Sequence, residues 1–578
     1  MNLIDALEII RNSAGSDSPA FRVFLACGFT PLHLQTFLNA ELCKALSNHC
    51  IEIKTGLFGD LAGSLERLHM DSFDAVAIQI EWPDIDPRLG IRSLGGWRST
   101  DLPDIIQSSK EQVDRINSAV ARLSERVPTI CSMPTLPLPP MFLAKTEESG
   151  MHELQLRLFV SSLATSLAQK PGIRILNAQA IDELSPPAGR MDAKSEIMTG
   201  FPYKLAHASA LASIVARLIC SPTPKKALIT DLDDTLWAGT LGEVGVDNVC
   251  WRLDQHAQGH GIYQQFLASL ASAGVLIAVA SKNDAALVER AFDRKDLLLA
   301  KENVFPFEVH WSRKSDSVRR ILDVWNISAD SVVFVDDSLM ELAEVKAVFP
   351  DIECLAYPGN DYQAIWNLLK HLRDFFGRNV LTEEDTLRLA SIRTTSHLRE
   401  SAESGGQAFD DFLQNVDAEI SFSWAKDSDQ RAYELVNKTN QFNLNGRRWT
   451  EGIWKTYLGE PDAFMLTVSY KDKYGFLGRI AVMLGKARGK NVRVESWVMS
   501  CRAFSRRIEY HCLKYLFEKF EADEITFDYQ NTDRNEPLQA FFRQLTGSTF
   551  APPFRLSKTL FEEQAPPLFH AVEEVPYG

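Results

Sequence analysis

The stretch Lys226-Ala-Leu-Ile-Thr-Asp231-Leu-Asp233-Asp234-Thr235-Leu-Trp237 carries two carboxylates spaced by two, directly after an apolar run. A buried strand that stops at Asp-x-Asp-x-Thr presents both carboxylates at the end of a sheet, close enough to approach one metal ion. Mg2+ there would neutralise the charge that keeps an anionic nucleophile away from an anionic phosphate, so the first carboxylate can attack phosphorus. The second is free to protonate the leaving oxygen and later to activate water. Three further pieces follow in order: Ser281-Lys282-Asn283 after an apolar strand, Lys314 in a loop, and Asp336-Asp337 after Val332-Val-Phe-Val335. Hydroxyl and amide donors, an ammonium and a second acidic pair for the metal are the parts a phosphoryl-transfer site needs. Singly, each piece has a plain structural meaning: a solvated turn, a turn after a strand, a helix cap. Their order, each behind an apolar strand, points to a phosphate site.

What must hold these residues is a set of buried strands. Ala227 to Asp231, Val275 to Ser281, a short run near Val309 and Ser331 to Asp336 read as strands ending in polar residues, where open parallel sheets place ligands. Upstream, Arg22 to Cys27, Ile51 to Lys54 and Ala75 to Ile80 read as strands, with helical spacing from His33 to Cys50. Residues 109–127 read as an amphipathic helix, Met133 to Pro140 as a loop, and Leu205 to Ile219 as a closing helix. That alternation predicts a parallel α/β layer, broken at Ser221-Pro-Thr-Pro-Lys. Residues 380–405 are charged and helical, and Ser404-Gly-Gly406 is a soft point. Beyond it, Glu419 to Trp424, Ala463 to Tyr470, Phe476 to Leu484 and Asn491 to Ser500 alternate like strands before a helix at 505–520. The expectation is an α/β multidomain chain divided at 1–222, 223–378, a linker 379–408, an α+β domain 409–560 and a polar tail 561–578.

The composition agrees with that size. In 578 residues, 61 Lys+Arg oppose 76 Asp+Glu for a net charge of −15, and 45% of residues are hydrophobic, as in ordinary soluble globular chains. The 9 cysteines form no CxxC pair and no zinc spacing, so they read as reduced intracellular thiols. The amino terminus has no signal-peptide pattern, and the longest apolar run, Val275 to Ala280, is too short to span a bilayer. A cytoplasmic protein with no membrane contact is expected. The sequence pI near 5.4 argues against general nucleic-acid binding.

The set Asp231, Asp233, Thr235, Ser281, Lys314 and Asp336 resembles the motifs of the haloacid-dehalogenase superfamily. More narrowly, Asp231-Leu-Asp-Asp-Thr-Leu-Trp-Ala-Gly-Thr-Leu-Gly-Glu243, Ala280-Ser-Lys-Asn-Asp284 and Asp336-Asp-Ser-Leu-Met-Glu341 resemble the FkbH-like family. Lys438-Thr-Asn-Gln-Phe-Asn-Leu444 and Met499-Ser-Cys-Arg502 resemble its C-terminal acetyltransferase-like (GNAT-like) domain. Glu81-Trp-Pro-Asp-Ile-Asp-Pro-Arg-Leu-Gly90 with Gly95-Gly-Trp97 resembles the N-terminal extension of its long members, related to SGNH-hydrolase folds. The resemblance implies an SGNH/flavodoxin-like α/β domain, a HAD-like Rossmannoid domain and a GNAT-like α+β domain. It implies transfer of a glyceryl group from 1,3-bisphosphoglycerate to the phosphopantetheine thiol of an acyl carrier protein, with loss of both phosphates, for polyketide assembly. By the same resemblance Asp231 is the attacking carboxylate and Asp233 the acid/base. Thr235, Ser281, Lys282, Asn283 and Lys314 hold phosphate oxygens, and Asp231, Asp233 and Asp336 hold Mg2+.

Departures from the pattern leave alternatives open. Many family members carry a Cys where this chain has Ala280, so an acyl way-station must lie elsewhere or be absent. Cys501 is the remaining candidate, near Arg502, Arg506 and Arg507, whose charges could lower a thiol pKa; its other reading is a buried small residue on a strand. Lys438 to Gly446, rich in side-chain amides, is either a polar pocket wall or an Asx-rich loop. In the N-terminal domain the first strand ends in Cys27-Gly-Phe-Thr30, and Lys204 stands where an SGNH hydrolase has the Asp before its His, here His207. A structural or docking role follows for that domain. The alternatives for the whole chain are a small-molecule phosphatase with appended domains and a non-catalytic scaffold for a carrier protein.

Overall fold

The computed structural model describes the chain outside residues 14–17, 70–71, 125–126, 142–143, 171, 379–387, 391, 394–409, 411–412, 416, 426–428, 440–441, 474, 501–502, 504–505, 533–534, 548–553 and 576–578. The chain divides into two compact units, Met1–Pro222 and Thr223–Gly578. Among the described residues no helix is long and apolar enough to cross a membrane.

The first unit is built on a parallel sheet of β1 (Ala20–Ala26), β2 (Cys50–Thr55), β3 (Ala75–Gln79), β4 (Thr129–Ser132) and β5 (Ile173–Ile175), in the order β2-β1-β3-β4-β5. Every residue of β3 and β4 is buried, as a strand covered on both faces requires. Alternation along β1 sends Val23 and Leu25 to one apolar cluster and Phe24 and Ala26 to the other. The helices Leu32–Ala45 and Leu205–Ile219 cover the first face, and Leu102–Ser124 and Met151–Ala168 the second.

The second unit holds two sheets. One is wholly parallel: β6 (Ala227–Thr230), β7 (Leu276–Ser281), β8 (Val304–Val309), β9 (Val332–Asp336) and β10 (Glu353–Ala356), in the order β10-β9-β6-β7-β8. The helices Gln258–Ser272 and Tyr362–Phe376 pack on one face, Lys314–Trp325 and Leu339–Val348 on the other. Because β6 lies between β9 and β7, the carboxyl ends of those three strands adjoin. That brings residues 231, 281 and 336, far apart in sequence, to one edge.

The other sheet runs β17-β16-β15-β14-β13-β11-β18, with β12 on β15. Its strands are β11 (Glu419–Ala425), β12 (Phe442–Asn443), β13 (Ala463–Asp472), β14 (Gly475–Arg488), β15 (Asn491–Met499), β16 (Glu524–Phe527), β17 (Phe554–Ser557) and β18 (Ala571–Glu574). Neighbours from β11 to β15 along this path are antiparallel, whereas β15 and β16 are parallel and are joined through the helix Ile508–Lys519. The segment expected as a polar tail is part of this fold. Residues 571–574 add β18 to the edge of β11, and His570 is buried against His511, with Nδ1 and Nε2 3.0 Å apart. The linker expected at 379–408 lies mostly outside the described residues, but Ile392 within it is buried in the cluster under β6 and β9.

Candidate active site

All four residues of β6 are buried, and the strand hands over at Asp231, whose N–H donates to the carbonyl of Val335 at 3.0 Å. The chain then turns sharply. Asp234 takes the left-handed conformation at φ 51°, and its Oδ1 accepts the N–H of Gly239 at 2.8 Å. Leu232, Leu236 and Trp237 are fully buried and anchor the turn from below. His260 donates from Nδ1 to the carbonyl of Thr235 at 2.9 Å, and Gln264 donates to that of Leu236 at 2.9 Å.

Lys314 opens the helix after β8 and reaches under the ends of β6 and β9. Its Nζ lies 2.8 Å from Asp231 Oδ2 and 2.5 Å from Asp336 Oδ2. The three side chains are sealed in: Lys314 is 3% exposed, Asp231 7% and Asp336 0%, so their charges act through a medium far less screening than water. Burial pushes the Asp336 carboxyl up to about 6, with Asp231 adding to the rise and Lys314 opposing it. For Lys314, burial favours the neutral amine, but the two carboxylates outweigh it and raise its pKa. Ser338 N–H donates to Asp336 Oδ1 at 2.8 Å. Thr235 Oγ1 receives the Asp337 N–H at 3.0 Å and donates to Asp337 Oδ1 at 3.3 Å.

Asp231, Asp336 and Asp337 each offer an oxygen within 4.8 Å of the others, and no other such group occurs among the described residues. Asp231 Oδ1 is buried and has no hydrogen-bond partner among those residues. An orphaned carboxylate oxygen beside two further carboxylates fits a small, hard divalent cation such as Mg2+. The expected ligand set was Asp231, Asp233 and Asp336. The geometry puts the side chain of Asp337 in that group and takes that of Asp233 out of it. Asp233 Oδ1 accepts from Trp237 Nε1 at 2.9 Å and from the N–H of Leu241 at 3.1 Å, and Oδ2 accepts from Asn283 Nδ2 at 2.9 Å. Burial raises the Asp233 pKa despite those donors, which suits a group that must carry a proton.

Of the residues expected to hold phosphate, Thr235 and Ser281 are buried beside these strand ends. Lys282 donates from Nζ to Glu341 Oε1 at 2.7 Å, and Asn283 is committed to Asp233. Cys501 and Arg502 lie outside the described residues. The basic cluster expected around them is not an exposed patch in its described part: Arg506 is buried over the Tyr470 ring, and Arg507 is ion-paired with Asp410 at 2.5 Å. The described amides of the amide-rich run, which contains β12, brace on backbone. Asn443 Nδ2 donates to the carbonyl of Thr439, and Asn445 Nδ2 to those of Glu495 and Asp528. Asn440 and Gln441 lie outside the described residues.

In the first unit the positions of a hydrolase are filled by other contacts. A Cβ on residue 28 would lie 1.7 Å from Asp84 Oδ1, so only glycine lets that carboxylate sit at the end of β1. Cys27 donates to the carbonyl of Phe29 at 3.3 Å, and burial pushes its thiol pKa up. His207 is buried, with Nε2 3.0 Å from Thr135 Oγ1 and Nδ1 3.0 Å from Ser185 Oγ. Thr135 gives its hydroxyl to Glu81 Oε1 at 2.6 Å, which assigns the His207 proton to Nε2. From sequence, Glu81 figured only in the Glu81-to-Gly90 resemblance and had no role of its own. Its signal was a carboxylate immediately after an apolar strand, the feature that found Asp231 and Asp336.

Among solved structures, the chain is similar to the N-terminal part of the protein BF1531 from Bacteroides fragilis, which contains a phosphatase domain and was crystallised in complex with Mg. The two share 20% identity over 66% of this chain and 100% of that one, at a TM-score of 0.50. The salicylyl-acyltransferase SsfX3 from a tetracycline biosynthetic pathway shares 13% identity over 34% of this chain and 54% of its own, at a TM-score of 0.21. No family model and no curated protein matches the chain. The first likeness is one of fold alone, and with the parallel order β10-β9-β6-β7-β8 it gives a multidomain α/β chain in which that sheet has a HAD-like fold.

Proposed function

We propose that the chain is a Mg2+-dependent phosphoryl-transfer enzyme of the FkbH-like kind. In this reading it moves the glyceryl group of 1,3-bisphosphoglycerate to the phosphopantetheine thiol of an acyl carrier protein and removes both phosphates. The observation that carries the reading is the buried Lys314 held between Asp231 and Asp336, with Asp231 Oδ1 left without a hydrogen-bond partner among the described residues. The Mg-complexed phosphatase domain of the structural neighbour supports the phosphatase half of it.

Asp231, Asp336 and Asp337 would hold Mg2+, which supplies charge neutralisation for an incoming phosphate. A carboxylate oxygen of Asp231 attacks phosphorus, the bond from phosphorus to the leaving oxygen breaks, and its electron pair stays on that oxygen. Asp233 gives the leaving oxygen its proton. It then takes one from the water that attacks the aspartyl phosphate, which frees inorganic phosphate and restores Asp231. Lys314 keeps Asp231 aligned and offsets charge on the transferring group.

The two phosphates of the donor leave by different bonds. The acyl phosphate is already activated: a thiolate attacks its carbonyl carbon, the carbon–oxygen bond breaks, phosphate departs and a thioester remains. The phosphate ester at the other end has a poor alkoxide leaving group and needs the acid of Asp233.

The test is intact-mass spectrometry of a phosphopantetheinylated carrier protein incubated with the chain, Mg2+ and 1,3-bisphosphoglycerate generated in situ. A glyceryl thioester adduct that disappears with Asp231→Asn is expected. Phosphate release without any adduct would leave a small-molecule phosphatase.

A further inference from the structure

The hydrogen bonds around Asp233 distinguish its two oxygens. Oδ1 receives two N–H donors, from the indole of Trp237 and the backbone of Leu241, which occupies both of its lone-pair directions. Among the described residues Oδ2 receives only the amide of Asn283, at 2.9 Å. A proton on the carboxyl group therefore has one unoccupied place, the second lone-pair direction of Oδ2. Trp237 is fully buried and Asn283 nearly so, and both are braced by the elements that bear them. Trp237 lies in the turn after β6, where Asp233 and Trp237 form an isolated bridge, and Asn283 stands two residues past the end of β7, whose last residue pairs with β8.

We infer that Asn283 is a positioning residue: its amide fixes the plane of the Asp233 carboxyl and aims the single proton-bearing oxygen, Oδ2, at the leaving oxygen of a phosphate ester. The sequence pattern had placed Asn283 on the phosphate itself. Its amide has two N–H groups, and the one given to Asp233 Oδ2 is what sets the direction of proton delivery. The inference rests on the phosphoryl-transfer reading of the site and adds the class of substrate for which the alignment matters. A phosphate ester of an aliphatic alcohol must have its departing oxygen protonated as the bond from phosphorus breaks, the electron pair staying on oxygen and the Asp233 proton joining it to give the neutral alcohol. An acyl phosphate releases a stable carboxylate that needs no proton. Misaligning Asp233 must therefore slow departure of the leaving group from the first class far more than from the second.

The experiment uses the full chain with Mg2+ and two substrates, glycerol 3-phosphate as the alkyl ester and acetyl phosphate as the acyl phosphate. With Asn283→Ala, the single-turnover release of glycerol from the alkyl ester is expected to slow about 100-fold and that of acetate from acetyl phosphate less than about tenfold, KM for acetyl phosphate staying close to wild type. Hydrolysis of the aspartyl phosphate, which also uses Asp233, slows by the same factor whichever substrate formed it. Retained acetate release shows that the variant is folded, and Asp233→Asn should give the same ratio between the two leaving groups. An equal loss in the release of both leaving groups, or a raised KM for both, would mean that Asn283 holds phosphate and would overturn the inference while leaving the site intact. If wild type releases no phosphate from either compound, or Asp231→Asn releases as much as wild type, the reading of the site fails and the inference with it.

Discussion

Lys314 Nζ lies 2.8 Å from Asp231 Oδ2, and the same ammonium lies 2.5 Å from Asp336 Oδ2, so one buried cation joins two strands of the parallel sheet. Burial leaves both carboxylates little solvent to disperse their charge, and the lysine offsets their mutual repulsion. The lysine is at once a structural bridge and the electrostatic setting of Asp231.

Lys314→Met tests this directly. Removing one partner from a buried ion cluster costs about 3–5 kcal/mol, because the remaining carboxylates stay buried and repel. Mg2+ binds only the folded carboxylates, so millimolar Mg2+ should recover part of the lost melting temperature, and by a larger increment than it gives wild type. Melting curves with and without Mg2+ check both statements, and an unchanged melting temperature in metal-free buffer would contradict the bridge.

Asp337→Asn should weaken Mg2+ binding about tenfold, since it alters an oxygen of the three-carboxylate group. Asp233→Asn should leave Mg2+ affinity near wild type, because both oxygens of that side chain are engaged by Trp237, Leu241 and Asn283. Calorimetric titration with Mg2+ separates the two. The reverse order of affinities would restore the side chain of Asp233 to the metal.

Gly28 and Asp84 form a second, independent couple. Gly28→Ala places a Cβ 1.7 Å from Asp84 Oδ1, and overpacking of this kind costs about 1–3 kcal/mol. In the double variant with Asp84→Ala the clash is gone, so the losses should be strongly non-additive. Additive losses in the two single variants and the double one would show that Asp84 moves aside without cost.

His207 gives the first unit a pH dependence. Burial, with Arg190 nearby, pulls its pKa from 6.5 to about 3, so between those values the unfolded chain binds a proton that the folded one refuses. Its contribution is thus full above pH about 6.5 and is lost progressively as pH falls toward 3. Burial pushes Asp84 up to about 7, which gives the opposite slope, so the comparison must be made against His207→Gln. Hydrogen exchange in the helix Leu205–Ile219, corrected for intrinsic rates, should become faster in wild type relative to the variant as pH falls from 7 to 5. Equal acceleration in both would remove His207 as the cause.

The parts of the site that were legible in sequence were those fixed by strand ends. Asp231, Ser281 and Asp336 each follow a buried apolar run, and a parallel sheet brings such ends together whatever the loops do. Side-chain direction was not legible. Spacing by two suggested that Asp231 and Asp233 share a metal, but the left-handed Asp234 turns the chain so that Asp233 meets Trp237, and Asp337 takes the place beside Asp231. Short strands also escaped notice. Every residue of β18 is exposed, so it has no apolar alternation to reveal it, and only its pairing with β11 makes it a strand. The helix expected at 505–520 starts at Ile508, after Arg507 takes a left-handed conformation at φ 58° that no hydrophobic pattern encodes.

The central claim is that Asp231 carries the phosphoryl group. Its most direct test is intact-mass spectrometry of the chain, acid-quenched during turnover of a phosphate donor with Mg2+, followed by borohydride reduction and peptide mapping. The account predicts a single phosphoryl adduct that maps to Asp231 and is absent from Asp231→Asn. Phosphate release at the wild-type rate by Asp231→Asn, or an adduct on another residue, would contradict it.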